Sequence, residues 1–122
     1  MVYWIKITLY ENFKRKAKVI IMKLEFSHKG KNLTVSLQGE LDHHNAKGIK
    51  EEIDMTASRI KPEVLIMDFA QVPFCDSSGI AVAIGRYKHM QSIGGRVKII
   101  NTSKQVKKVL VLSGVNKYVQ ID

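Results

Sequence analysis

The segment Phe74-Cys75-Asp76-Ser77-Ser78-Gly79-Ile80 brings a thiol, a carboxylate and two hydroxyls together over four consecutive positions. Aspartate and serine are favoured helix caps, and a long apolar stretch follows them, so the segment predicts a strand, a short loop and a helix from about Ser77 to Ser92. A hydroxyl at such a start can cap the helix. It can equally stand free to accept a phosphate, whose charge the unpaired N–H groups and positive dipole end of a helix start would solvate. On local pattern alone the capping reading is favoured, since capping serines are ordinary. Gly79, with no side chain, is expected to keep the serine open to another protein's active site.

Enzymatic readings of the same residues are weaker. A nucleophilic serine would need His28, His43, His44 or His89 as its base, and the Gly-x-Ser-x-Gly elbow is absent. His43 and His44 are adjacent and point in different directions, which suits a surface or partner contact better than metal ligation. Cys75 is the only cysteine, so neither an internal disulfide nor a cysteine-built metal site can form, and it reads as a small buried side chain. Gly94-Gly95 lacks a Walker lysine and a dinucleotide fingerprint, and is most simply a helix stop. No catalytic residue, metal or cofactor is expected.

The elements that must position these residues follow from periodicity. Lys23 to Phe26 and Leu33 to Leu37 read as a strand pair joined across Gly30. Ala46, Ile49, Ile53, Ala57 and Ile60 share one helical face, capped by Asp42 or Asn45 and closed by Pro62. Val64 to Met67 is a continuous apolar run, of the sort found in a strand covered on both faces or packed centrally. After the helix from Ser77, Val97 to Ile100 is a strand. Ser103 caps a third helix bearing Val106, Val109 and Leu110 and ended by Gly114, and Tyr118 to Ile121 is a last strand. The order predicts an α/β fold, a mixed β-sheet with helices packed against it.

At 122 residues and 45% hydrophobic content the chain suits one domain. Apolar runs such as Ile80 to Ile84 fall far short of the roughly 20 residues that span a bilayer, and the N-terminus lacks the pattern of a secretory signal, so a cytoplasmic protein is expected. The net charge of +9 is uneven. Residues 1–21 hold five basic side chains (Lys6, Lys14, Arg15, Lys16, Lys18) against Glu11, a net of +4, which leaves +5 scattered over the remainder. That scatter argues against direct nucleic-acid binding, which needs basic residues gathered on one face. Residues 1–21 are read as a basic N-terminal extension, with a strand-like alternation at Tyr3, Ile5, Ile7 and Leu9. The domain proper is placed at 22–122, with Met22 a candidate start.

Several separated motifs together resemble the STAS-domain anti-sigma factor antagonist family, its sporulation sigma-F branch above all. They are Gly39-Glu40-Leu41-Asp42-His43-His44-Asn45-Ala46, then Phe74 to Ile80, then Gly85-Arg86-Tyr87-Lys88 and Ile93-Gly94-Gly95. The resemblance covers about residues 22–121. It implies a non-enzymatic STAS fold that binds an anti-sigma factor serine kinase and so releases a sigma factor. Phosphorylation would fall on Ser77, the serine directly after the motif's aspartate, and a PP2C-type phosphatase would reverse it. Glu40, Asp42, His43, Asp76, Ser78, Gly79 and Ile80 would form the partner contact if the two loops lie side by side. Cys75 and Ile80-Ala81 stand where close relatives more often carry Met and Leu-Gly, and relatives usually continue past the position of Asp122 into a final helix. Stress-response relatives share fold and switch, so another sigma pathway is the alternative.

Overall fold

The computed structural model describes residues 4–8 and 23–122. Six strands form one sheet in sequence order: β1 (Trp4–Thr8), β2 (Lys23–Lys29), β3 (Asn32–Gln38), β4 (Val64–Gln71), β5 (Arg96–Ile100) and β6 (Gln120–Ile121). β1, β2 and β3 pair antiparallel, and β3 to β6 pair parallel. The mixed α/β fold expected from the element order is the one found. Tyr3, Leu9, Met22 and the basic stretch at 14–18 lie outside the described residues.

β2 and β3 are both longer than their apolar cores suggested, because Gly30, at φ 60°, turns the chain with Lys31 alone and lets pairing run to Lys29 and Asn32. β4 also runs past Met67, as Asp68 to Gln71 continue the ladder on β3. It is one of the two middle strands, but it is not covered on both faces, because its burial alternates: Leu65, Met67 and Phe69 are sealed, whereas Val64, Ile66 and Asp68 stay partly exposed. The helices therefore cover one face of the sheet. There Leu24, Phe26, Leu33, Val35, Leu37, Leu65, Met67 and Ile99 meet Ile49, Ile53, Val82, Met90 and Leu110 in a single core.

α1 (His43–Ile60), α2 (Ser77–Ser92) and α3 (Lys104–Leu112) leave from the loops after β3, β4 and β5. Each is capped by a side chain: Asp42, Asp76 and Ser103. α1 begins at His43, three residues before its first apolar position, because Asp42 accepts from the N–H groups of His44 and Asn45. After α3, Gly114 at φ 83° leads into a 3₁₀ turn over Val115–Lys117, so the last strand shrinks to two residues. Among the described residues no helix is long and apolar enough to cross a membrane.

Candidate functional site

The loops that launch α1 and α2 are stitched together. Leu41 and Cys75 form an isolated parallel bridge: the Leu41 N–H donates to the Phe74 carbonyl at 3.1 Å, and the Asp76 N–H to the Leu41 carbonyl at 3.4 Å. The bridge sets the capping residues Asp42 and Asp76 at the same edge of the sheet, each one residue beyond it. Glu40 is exposed and Asp42 half-buried on one strip; Asp76 is half-buried and Ser77 exposed on the other. Asn45, 3% exposed, donates from Nδ2 to the Glu40 carbonyl at 2.8 Å and holds that loop down. Only its polarity on a helix face otherwise bound for the core hinted at this role.

Asp76, not a serine, caps α2. Its Oδ1 accepts from the N–H of Ser78 at 2.8 Å and of Gly79 at 3.2 Å. Among the described residues neither the Ser77 nor the Ser78 hydroxyl has a hydrogen-bond partner. The serines are therefore not caps, and Ser77 presents a free hydroxyl to solvent. The same bonds narrow a further expectation: of the helix-start N–H groups that would solvate a phosphate, those of Ser78 and Gly79 are already taken by a carboxylate.

Gly79 requires a second correction, because it is buried and faces inward rather than clearing an approach to the serine. A Cβ there would lie 2.5 Å from the Cys75 Sγ and 3.0 Å from the Leu41 Cγ and carbonyl oxygen. It is glycine because α2 closes against the stitched loops. Cys75, itself buried, has its thiol pushed up to about 11, first by burial and then by the Asp76 charge, so it stays protonated at neutral pH. Ile80 is half-buried against the core, whereas Phe74 is 46% exposed next to the serine loop. As an apolar residue closing a strand, Phe74 gave no sequence signal of that exposure.

His43 and His44 stand exposed on the first turn of α1, ring centroids 6.0 Å apart, and no group of three or more His, Cys, Asp or Glu able to hold a metal occurs among the described residues. α1 and α2 are clamped by a buried ion pair that sequence alone did not reveal. The Arg86 guanidinium, 3% exposed, donates from Nε to Asp54 Oδ1 at 2.7 Å and from its terminal nitrogen to Oδ2 at 3.0 Å, with a further bond to the Val82 carbonyl at 3.1 Å. Near the far end of both helices Ser58 Oγ and His89 Nε2 are 2.8 Å apart. Between the clamp and the serine loop the two helices leave an open groove of about 430 Å³, bounded by His43 and two lysines on α1 and by Ser78 on α2.

Comparison with known proteins gives a consistent pattern. The family model described as the STAS domain matches residues 23–122. An anti-sigma F factor antagonist of Paenibacillus polymyxa is 32% identical over 100 residues, covering 82% of this chain and 86% of the relative. An anti-sigma-B factor antagonist of Bacillus subtilis is 24% identical over 90 residues, 74% of this chain and 81% of the relative. Among solved structures, the anti-sigma factor antagonist SpoIIAA in its unphosphorylated form superposes with a TM-score of 0.70 at 27% identity, over 81% of this chain and 87% of that one. The Bacillus SpoIIAA in its phosphorylated form gives 0.63 at 26% identity, over 81% and 90%.

Proposed function

The chain belongs to the STAS domain family, and on that premise we propose that it is an anti-sigma factor antagonist, a binding protein whose unmodified form captures an anti-sigma factor serine kinase and so releases a sigma factor. Phosphorylation of Ser77 ends the contact, and a PP2C-type phosphatase restores it. The observation that carries the reading is the Ser77 hydroxyl, exposed and unbonded because Asp76 does the capping. Relatives named for sigma F, at 29–32% identity, favour the sporulation branch over those named for sigma B, at 21–24%.

The physics of the switch is electrostatic. A phosphoserine adds a charge of about −1.5 to −2 at pH 7. In free protein that charge sits in water, so the fold is little changed. Pressed into an interface alongside the carboxylates of Asp76, Asp42 and Glu40, it meets desolvation and like-charge repulsion worth several kcal/mol of binding, by order of magnitude.

The test uses the anti-sigma F factor of the same cell, purified, with and without ATP. Ser77→Ala binds it and accepts no phosphate, and Ser77→Asp binds weakly while melting like wild type. Glu40→Lys weakens binding at constant stability and is a cleaner probe than Asp42, whose side chain also caps α1. Label retained by Ser77→Ala but lost from Ser78→Ala transfers the role to Ser78. Steeply salt-dependent DNA binding without any partner binding refutes the reading altogether.

A further inference from the structure

The α1–α2 groove opens from the serine loop, since Ser78, the neighbour of Ser77, forms its mouth. Along its α1 wall run His43, Lys47 and Lys50, residues spaced to share one helical face over about 10 Å. Both lysines are exposed, and among the described residues neither has a carboxylate within ion-pair distance. Arg86, at the inner end, is already spent on Asp54. Across from the lysines α2 offers Gly85, where an added Cβ would meet nothing within 4 Å. The space is thus an open trough with two unneutralised positive charges along one side.

Two kinds of anion suit positive walls, a compact phosphate compound or a run of carboxylates. A compact phosphate is best held by several helix N–H groups together, and at this end of the molecule two at each helix start are already taken: Asp42 accepts from those of His44 and Asn45, Asp76 from those of Ser78 and Gly79. Each cap also adds a negative charge at the mouth, opposing a dense anionic cluster. The lysines lie further along α1, about a turn apart, and match single charges spaced along a chain. We infer that the α1–α2 groove takes an acidic segment of the anti-sigma partner, with its carboxylates laid along Lys47 and Lys50 while the Ser77 edge carries the switch. The inference rests on the proposed role as an anti-sigma factor antagonist and extends its contact beyond the two loops.

The experiment measures binding of the full chain to the purified anti-sigma F factor of the same cell at low and high salt, and joins the complex with a zero-length carbodiimide reagent that couples lysine to carboxylate. The double variant Lys47→Glu/Lys50→Glu binds about tenfold or more weaker and loses most of the salt dependence. Lys107→Glu/Lys108→Glu on α3, the same change in net charge, shifts affinity by no more than about twofold, as expected for charges outside the contact. Gly85→Leu, which fills open space, weakens binding with no loss of thermal stability. Cross-links run from Lys47 or Lys50 to neighbouring acidic residues of the partner. Wild-type affinity in the α1 double variant, or cross-links confined to other lysines of a complex that does form, overturns the groove assignment while leaving the antagonist role intact. Saturable binding of ATP or inorganic phosphate to the protein alone, abolished by Lys47→Glu/Lys50→Glu, also overturns it and makes the groove a small-anion site. No complex with wild type at any salt is the failure of the underlying role instead.

Discussion

Replacing Gly79 with alanine puts the stitched loops under direct test. The new Cβ would lie 2.5 Å from the Cys75 Sγ and 3.0 Å from two atoms of Leu41, distances at which something must move. Neither neighbour gives easily: Cys75 and Leu41 are both buried, and their backbones are joined by the bridge between the two loops. Overpacking of this kind costs about 1–3 kcal/mol, and up to about 1 kcal/mol is recovered because alanine is the better helix former. The net expectation is a loss of about 1–2 kcal/mol, or a fall in Tm of about 5–10 °C for a domain of this size, read by calorimetry or urea unfolding. Because the strain can be relieved only by parting α2 from the 41–42 loop, partner binding falls as well. Cys75→Ala removes the nearest clashing atom, so Gly79→Ala in that background should cost at least about 1 kcal/mol less than in wild type, a coupling measurable in a double-mutant cycle. Strict additivity of the two substitutions, or a Gly79→Ala protein as stable as wild type, refutes the packing argument.

Asp54→Ala strands the Arg86 guanidinium in the α1–α2 interface. Breaking a buried pair costs about 3–5 kcal/mol; Asp54 is 26% exposed, so about 2–3 kcal/mol is expected in urea unfolding, and Asp54→Glu recovers part of it. The Cys75 thiol, held up at about 11 when folded against about 9 in the unfolded chain, is protonated in both states below pH 9 and contributes no pH dependence there. Between pH 9 and 11 only the unfolded chain loses the proton, so stability declines with rising pH, and Cys75→Ala flattens that part of the curve. At pH 7.5 the thiol reacts with a disulfide reagent only as fast as the protein opens, which parallel rates of labelling and of hydrogen exchange would show. A chain lacking residues 1–21 unfolds cooperatively and still binds its partner; loss of a cooperative melt would place β1 within the essential core.

What could be read along the sequence was whatever is decided within a turn or two of chain. The cap at Ser103, the stop after Ser92 and the inner place of the Val64–Met67 run follow from nearest neighbours and period, and the structure has them; of the two α1 caps the sequence offered, Asp42 and Asn45, it uses Asp42. Features decided across the fold were not legible. Gly79 next to two serines reads as an open approach, and only the Leu41–Cys75 bridge shows that its hydrogen faces a buried sulfur. Arg86 and Asp54 are 32 residues apart with nothing in the intervening pattern to couple them. Tyr118 and Val119 look like strand residues, yet the 3₁₀ turn begun at Gly114 removes their backbone groups from the ladder.

The identity of the α2 cap has consequences beyond local stability. Had Ser77 or Ser78 capped the helix, its hydroxyl would be bonded to a backbone N–H, and adding phosphate would exchange one anionic or polar acceptor for another at a site suited to it, stabilising the modified form. With Asp76 in that place the Ser77 hydroxyl is free, and a phosphate on it would find the N–H groups of Ser78 and Gly79 already taken. On the proposed role, most of the free energy of the switch would then come from what the phosphate does to a partner. That arrangement would suit a reversible signal, because an exposed Ser77 is as open to a phosphatase when modified as to a kinase when free. The Arg86–Asp54 clamp between α1 and α2 would add to this, since two helices tied through a buried guanidinium resist moving apart, and a charge added at their starts would then act as a fault in the proposed interface.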